Sequence, residues 1–180
     1  MRHIIVHLVR GDAGKFHTQI TQDLTRKFDS FPLHNRIPSH LTLKRWFELD
    51  EKGMGELYKT LDSFAKSHSQ SDYELKGYGN FGKDVLYIDA QPSTEMRYSI
   101  KDLYESLHKI KGLTFDKFDT GDELHATVAM GALKPFDYNQ IWNHLAQGKQ
   151  PDFKMKFDNI AVLKKLVDKW VIDRIWEIKP

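Results

Sequence analysis

Two short stretches of this 180-residue chain carry the same pair of reactive side chains. Ile37-Pro-Ser-His-Leu-Thr-Leu-Lys-Arg-Trp46 contains His40 and Thr42, and Glu123-Leu-His-Ala-Thr-Val-Ala-Met130 contains His125 and Thr127. Both read as strands, where side chains alternate between two faces, so each histidine shares a face with its threonine. Leu41 and Leu43 in the first copy, and Leu124, Ala126, Val128 and Met130 in the second, supply the opposite, apolar face. An imidazole has an unperturbed pKa of about 6.5, so of two at one site one can take a proton while the other gives one. Neighbouring hydroxyls can donate to non-bridging phosphate oxygens and hold the charge that builds during in-line displacement. Such a set suits attack on phosphorus, or departure from it, by a ribose hydroxyl or water, and it requires no metal.

A single histidine on a strand is more often a satisfied polar residue than a catalyst, and threonine is common in strands because its β-branch fits the pleated surface. Duplication separates these residues from that background, since the two histidines lie 85 positions apart, close to half the chain. Lys44 falls on the His40 face, where it could contact a substrate phosphate, with a strand-end lysine that reaches water as the alternative. His7, on the first strand, is a further candidate for lining the same cleft. His3 and His7 are spaced too widely on a strand to share a metal without other ligands, and no metal site is expected. Phe81, Tyr87 and Trp46 are candidates for stacking on a base, with a place in the core as the alternative. Arg174 could line the cleft or face solvent.

The elements that must position these residues can be read from periodicity. A strand spans about residues 2–10, with Ile4, Val6 and Leu8 alternating with His3, Ile5 and His7. A helix follows to about Phe28, with Phe16, Ile20, Leu24 and Phe28 forming one stripe. Pro32 and Pro38 frame a loop before the first motif strand, and Met54, Leu57, Leu61 and Phe64 mark a second helix. Tyr73 to Phe81 alternates as a strand that ends in a glycine-rich turn. The order then repeats, with a strand at 85–90, a helix from Pro92 and Ser93 to Ile110, the second motif strand, a short helix carrying Tyr138, Ile141, Trp142 and Leu145, and strands near 153–164 and 169–178. This order predicts an α+β, bilobal single domain with approximate halves 1–82 and 83–180. Each lobe is a mainly antiparallel sheet with helices outside, and the motif strands sit centrally in different lobes beside one cleft.

Composition bounds the function. Apolar residues make up 40% of the chain and aromatics 12%, enough for a packed core, and the net charge of +2 is too small for a protein that coats nucleic acid. Without cysteine there is no disulfide, no thiolate catalysis and no cysteine-ligated zinc or iron–sulfur site, and a reducing cytoplasm is the expected setting. No apolar run is long enough for a membrane span.

The pair His40-Leu-Thr42-Leu and His125-Ala-Thr127-Val resembles the signature of the two-histidine (2H) phosphoesterases, and within them the LigT-like 2′-5′ RNA ligases or RNA 2′,3′-cyclic phosphodiesterases. The resemblance covers most of the chain. It implies metal-independent opening of cyclic phosphodiesters, with His40 and His125 catalytic, Thr42 and Thr127 on the substrate, and no cofactor. The implied partners are RNA ends or a small cyclic nucleotide phosphoester, met by a monomer with no membrane association. An RNA-end or nucleotide-binding module without turnover is the alternative, although such a module would need no second histidine. A purely structural protein with accidental motifs is the third reading.

Overall fold

The computed structural model describes residues 1–131 and 135–180, with the side chains of all of these except Pro135 and Phe136. In chain order the elements are β1 (His3–Leu8), α1 (Gly11–Phe28), α2 (Leu33–Arg36), β2 (His40–Phe47), α3 (Glu51–Ser67), β3 (Ser71–Phe81), β4 (Val85–Pro92), α4 (Thr94–Leu107), β5 (His125–Met130), α5 (Pro135–Gln147), β6 (Asp152–Phe157), β7 (Asn159–Lys165) and β8 (Trp170–Glu177). Local chemistry sets several of these boundaries. The Asp50 carboxylate accepts from the Gly53 N–H at 2.7 Å and starts α3, and the Ser93 hydroxyl accepts from the Met96 N–H at 3.1 Å and starts α4. Helix α1 turns back tightly over the end of β1. A Cβ at Gly14 would stand 2.5 Å from the Val9 carbonyl oxygen, so that turn admits only glycine.

The strands form two four-stranded sheets, in the orders β2-β1-β7-β8 and β5-β4-β3-β6, and the paired strands run antiparallel. The architecture is thus the expected α+β pair of sheets with surrounding helices, but the sheets do not divide at residue 82. Strand β3 leaves the first half to pair with β4 and β6, while β7 and β8 return from the C-terminal end to complete the first sheet. The single strand expected near 153–164 is two strands in different sheets, separated by Asp158 alone. Asn159 holds this switch. Its buried amide accepts from the Leu8 N–H at 2.9 Å and donates to the Leu8 carbonyl at 3.1 Å, supplying backbone partners that a ladder would otherwise provide.

One hydrophobic core joins both sheets. It runs from Ile5, Leu41, Phe47 and Val162 through Leu61 of α3 and Leu103 of α4 to Leu75, Ile88 and Val128. Burial of each such side chain stabilises the fold by about 1.5–3 kcal/mol. A second, smaller cluster on the opposite face of the first sheet contains Ile4, Val6, Leu8, Ala161 and Leu163.

The two motif strands are not central in their sheets, contrary to expectation. Strands β2 and β5 are edges, and they pack against each other across the junction of the sheets. An edge strand can approach a second sheet because no ladder partner lies on its outer side.

Candidate active site

His40 stands opposite Leu8, and Thr42 opposite Val6, so both motif side chains rise from the face of the first sheet that carries the smaller apolar cluster. In the second sheet His125 stands opposite Asp89 and Thr127 opposite Tyr87. All four motif side chains are half-buried. Thr42 and His125 line one cavity of about 400 Å³, and the strands that carry His40 and His125 pack against each other.

The two rings are held in the same way. His40 Nδ1 donates to the Pro38 carbonyl at 2.7 Å, and His125 Nδ1 donates to the Glu123 carbonyl at 2.8 Å. A carbonyl only accepts, so the proton is on Nδ1 in both neutral rings, and Nε2 is left as the nitrogen that can exchange a proton with a ligand.

Their surroundings differ. Burial is the main reason the His40 pKa falls to about 4; the Pro38 carbonyl opposes this, and the nearby His17 and His125 add to it. Burial also lowers the His125 pKa, but there the Glu123 carbonyl and the carboxylates of Glu123 and Asp89 all pull upward. His125 therefore has carboxylates that favour its protonated form, whereas burial is what chiefly disfavours protonation of His40.

Aromatic rings seat His125. The Phe81 ring meets it edge-on at 4.8 Å between centroids, and the Tyr87 ring lies 5.0 Å away. Tyr87 keeps its place because it lies across Gly79, where a Cβ would come within 2.4 Å of the ring. Phe118 and Asp119, which also line the cavity, belong to the segment between α4 and β5. Asp119 accepts from Lys44 Nζ at 2.8 Å, from the Arg45 N–H at 2.9 Å and from the Asp116 N–H at 2.9 Å, and so fastens that segment to β2.

Two residues expected at the substrate do not reach the groove. Lys44 and Asp119 have side chains only 1% exposed. The reason is a β-bulge: Ile5 pairs with Lys44 and Val6 with Thr42, leaving Leu43 as an extra residue, and this swings Lys44 from the His40 face onto the core face. His7 pairs with Leu41 and so also points into the core, where it is 1% exposed. Its Nδ1 donates to the Asn159 carbonyl at 2.9 Å, and its Nε2 accepts from the Tyr73 hydroxyl at 2.9 Å. Burial, its largest influence, lowers its pKa to about 4, and it holds the junction of the sheets as a neutral ring. Arg174 is exposed to solvent with its guanidinium over the Tyr58 and Trp176 rings, and Trp46 stands exposed beneath the Arg2 guanidinium. Of the aromatic candidates, Phe81 lines the cavity and Tyr87 stands beside it against His125.

His17 was not singled out by the sequence. The buried side of α1 consists of Ala13, Gly14, His17, Thr21 and Leu24, whereas Phe16, Ile20 and Phe28 of the apolar stripe are only partly buried. A histidine and a threonine at helical spacing on one face were the signal available, and the stronger apolar stripe masked it. Phe118 and Asp119 lie in a stretch without periodicity and carried no signal, and Arg45, in the first motif strand, was not singled out.

Comparison with known proteins bears on the fold and the family. Three bacterial proteins provisionally named phosphoesterases are similar in sequence. One from Bacillus pumilus is 30% identical over 47% of this chain and 50% of its own length, and one from Oceanobacillus iheyensis is 29% identical over 59% of each. The chain thus spans only half to three fifths of these two relatives; a Geobacillus protein is 25% identical over 78% of the chain and 77% of its own length. Among solved structures, the TT0787 protein of Thermus thermophilus superposes with a TM-score of 0.65 at 14% identity, over 99% of this chain and 98% of that one. Escherichia coli LigT complexed with 3′-AMP gives a TM-score of 0.60 at 13% identity, with the same coverage. At such identities these structures establish the fold. A family model described as the 2′-5′ RNA ligase superfamily matches residues 12–169, and the chain belongs to that superfamily.

Proposed function

We propose that the protein is a metal-independent phosphoesterase that acts on 2′,3′-cyclic phosphate or 2′-5′ phosphodiester linkages of RNA or a nucleotide. The observation that supports this reading is the matched anchoring of His40 and His125, which leaves the Nε2 of each ring as the nitrogen available to a ligand, on two edge strands that pack against each other. His40, whose burial opposes protonation, serves as general base. It takes a proton from water, or from a 5′-hydroxyl in the ligation direction, as that oxygen bonds to phosphorus. His125, supported by the Glu123 and Asp89 carboxylates, serves as general acid and protonates the ribose oxygen whose bond to phosphorus breaks. The Thr42 and Thr127 hydroxyls donate to the non-bridging oxygens. An anionic phosphate between the rings raises both imidazole pKa values, which lets His125 carry its proton near neutral pH. The cavity beside Thr42 and His125, with Phe81 and Phe118 on its walls, suits the base or ribose of the nucleotide that bears the phosphate.

The test is a panel of 2′,3′-cyclic nucleotides, oligonucleotides ending in a cyclic phosphate, and 2′-5′ linked dinucleotides, incubated with and without EDTA. The expected result is turnover that survives EDTA and leaves the phosphate on one ribose oxygen. Binding without turnover across the panel would favour the RNA-end-binding module, and turnover abolished by EDTA and restored by one metal would defeat the mechanism.

A further inference from the structure

We infer that His17 is a positioning residue shared by both motifs, whose one ring sets the spacing of the two histidines; the inference rests on the catalytic reading above. His17 is 4% exposed and comes from α1, which belongs to neither motif. Its Nε2 donates to the carbonyl of Thr127 at 2.7 Å, and its Nδ1 stands 2.8 Å from the hydroxyl of Ser39, the residue immediately before His40. The carbonyl oxygen can only accept, so the neutral ring is protonated at Nε2, and Nδ1 accepts from the Ser39 O–H. The alternative acceptor for that hydroxyl, the Gly14 carbonyl, is 3.5 Å away.

Both strands that the ring joins are edges of different sheets, so no ladder hydrogen bond ties one to the other. Thr127 lies on the outer side of β5, where a carbonyl would lack a protein partner, and His17 supplies one. Ser39 adjoins Pro38, whose carbonyl orients the His40 ring. A displacement of His17 would therefore move the anchor of His40 and the backbone of Thr127 together. Misplacement of a reacting group by about 1 Å can cost about 10²-fold in rate, so a bridge of two hydrogen bonds at this point acts on turnover as well as on folding.

The experiment compares His17→Phe, which keeps a ring and loses both nitrogens, with His17→Gln, whose amide N–H can still reach the Thr127 carbonyl. Ser39→Ala, which removes one bond and leaves the ring in place, covers the case in which His17→Phe fails to fold. With adenosine 2′,3′-cyclic monophosphate as substrate, His17→Phe is expected to lower kcat by about 10- to 100-fold with KM changed less than about threefold. His17→Gln is expected to recover most of that loss, and Ser39→Ala to fall between them. A kcat within about twofold of wild type in His17→Phe, or in Ser39→Ala if His17→Phe does not fold, overturns the inference; so does a His17→Gln variant no better than His17→Phe. The imidazole ¹⁵N–¹H spectrum of the substrate-free protein provides a reading that does not depend on activity. Movement of the His40 Nδ1–H signal in Ser39→Ala supports the bridge, and an unmoved signal overturns it. Wild-type protein inactive on every cyclic substrate would defeat the functional reading, and this spectrum would still decide whether His17 positions His40.

Discussion

His40 and His125 are oriented by the same local contact, each Nδ1 donating to the carbonyl two residues before it, at 2.7 Å to Pro38 and 2.8 Å to Glu123. The two strands belong to different sheets and share no ladder, so the same contact is made twice in separate surroundings. Each motif fixes its own ring tautomer, and the tertiary structure has only to bring the two finished units together.

Removing either ring removes one half of the proton transfer. His40→Ala and His125→Ala are each expected to lower kcat by at least about 10²-fold, with the double variant losing less than the product of the two effects because the groups act as a unit. Steady-state kinetics on a 2′,3′-cyclic nucleotide measure this. Near-full turnover in His40→Ala would show that the first motif is not catalytic.

The pH profile should respond to the carboxylate beside His125. Glu123 raises the pKa of His125, so Glu123→Gln is expected to lower it while leaving the backbone carbonyl that anchors the ring. The general acid then loses its proton at lower pH, and the alkaline limb of the kcat profile moves toward acid. A profile recorded between pH 5 and 10 would show the shift; an unmoved alkaline limb would remove His125 from the acid role.

The Lys44–Asp119 pair is expected to matter for stability. Lys44→Met leaves a buried carboxylate without its cation and should cost about 3–5 kcal/mol, read from urea unfolding. Burial works to raise the Asp119 pKa, but hydrogen bonds from Lys44, Asp116 and Arg45 outweigh it, and the folded value lies below the ordinary carboxylate range. The corresponding stability is present above the unfolded pKa of about 3.9 and is lost as pH falls through the folded value. A Lys44→Met variant within about 1 kcal/mol of wild type would show that the pair contributes little.

Gly79→Ala tests the seat of His125. The added methyl would drive the Tyr87 ring from its position beside the imidazole, since the two cannot share that space. The expected result is a severalfold fall in kcat with a modest loss of stability, because the atoms displaced are the outer end of a side chain. Unchanged kcat would mean that Tyr87 does not hold the ring in place for turnover.

The sequence by itself determined most of the elements and the reactive pairs, but not the short helix α2 or the division of 153–164 into β6 and β7. Alternation around His40 and His125, the apolar helix stripes, and the helix entry at Ser93 are local properties, legible within a few residues. Only the tertiary structure decided which strands share a sheet, because pairing partners are set by long-range packing; β3 and β7 exchange lobes on account of contacts such as the Asn159 amide on Leu8. Strict alternation placed Lys44 beside His40, and one extra residue at Leu43 turned it into the core. Alternation assigned His7 to a face but not to the side that the groove would take, which follows from the pairing of Leu8 with His40. His17 lies 23 positions before one motif histidine and 108 before the other, and only the packing of α1 against β5 makes it their shared support.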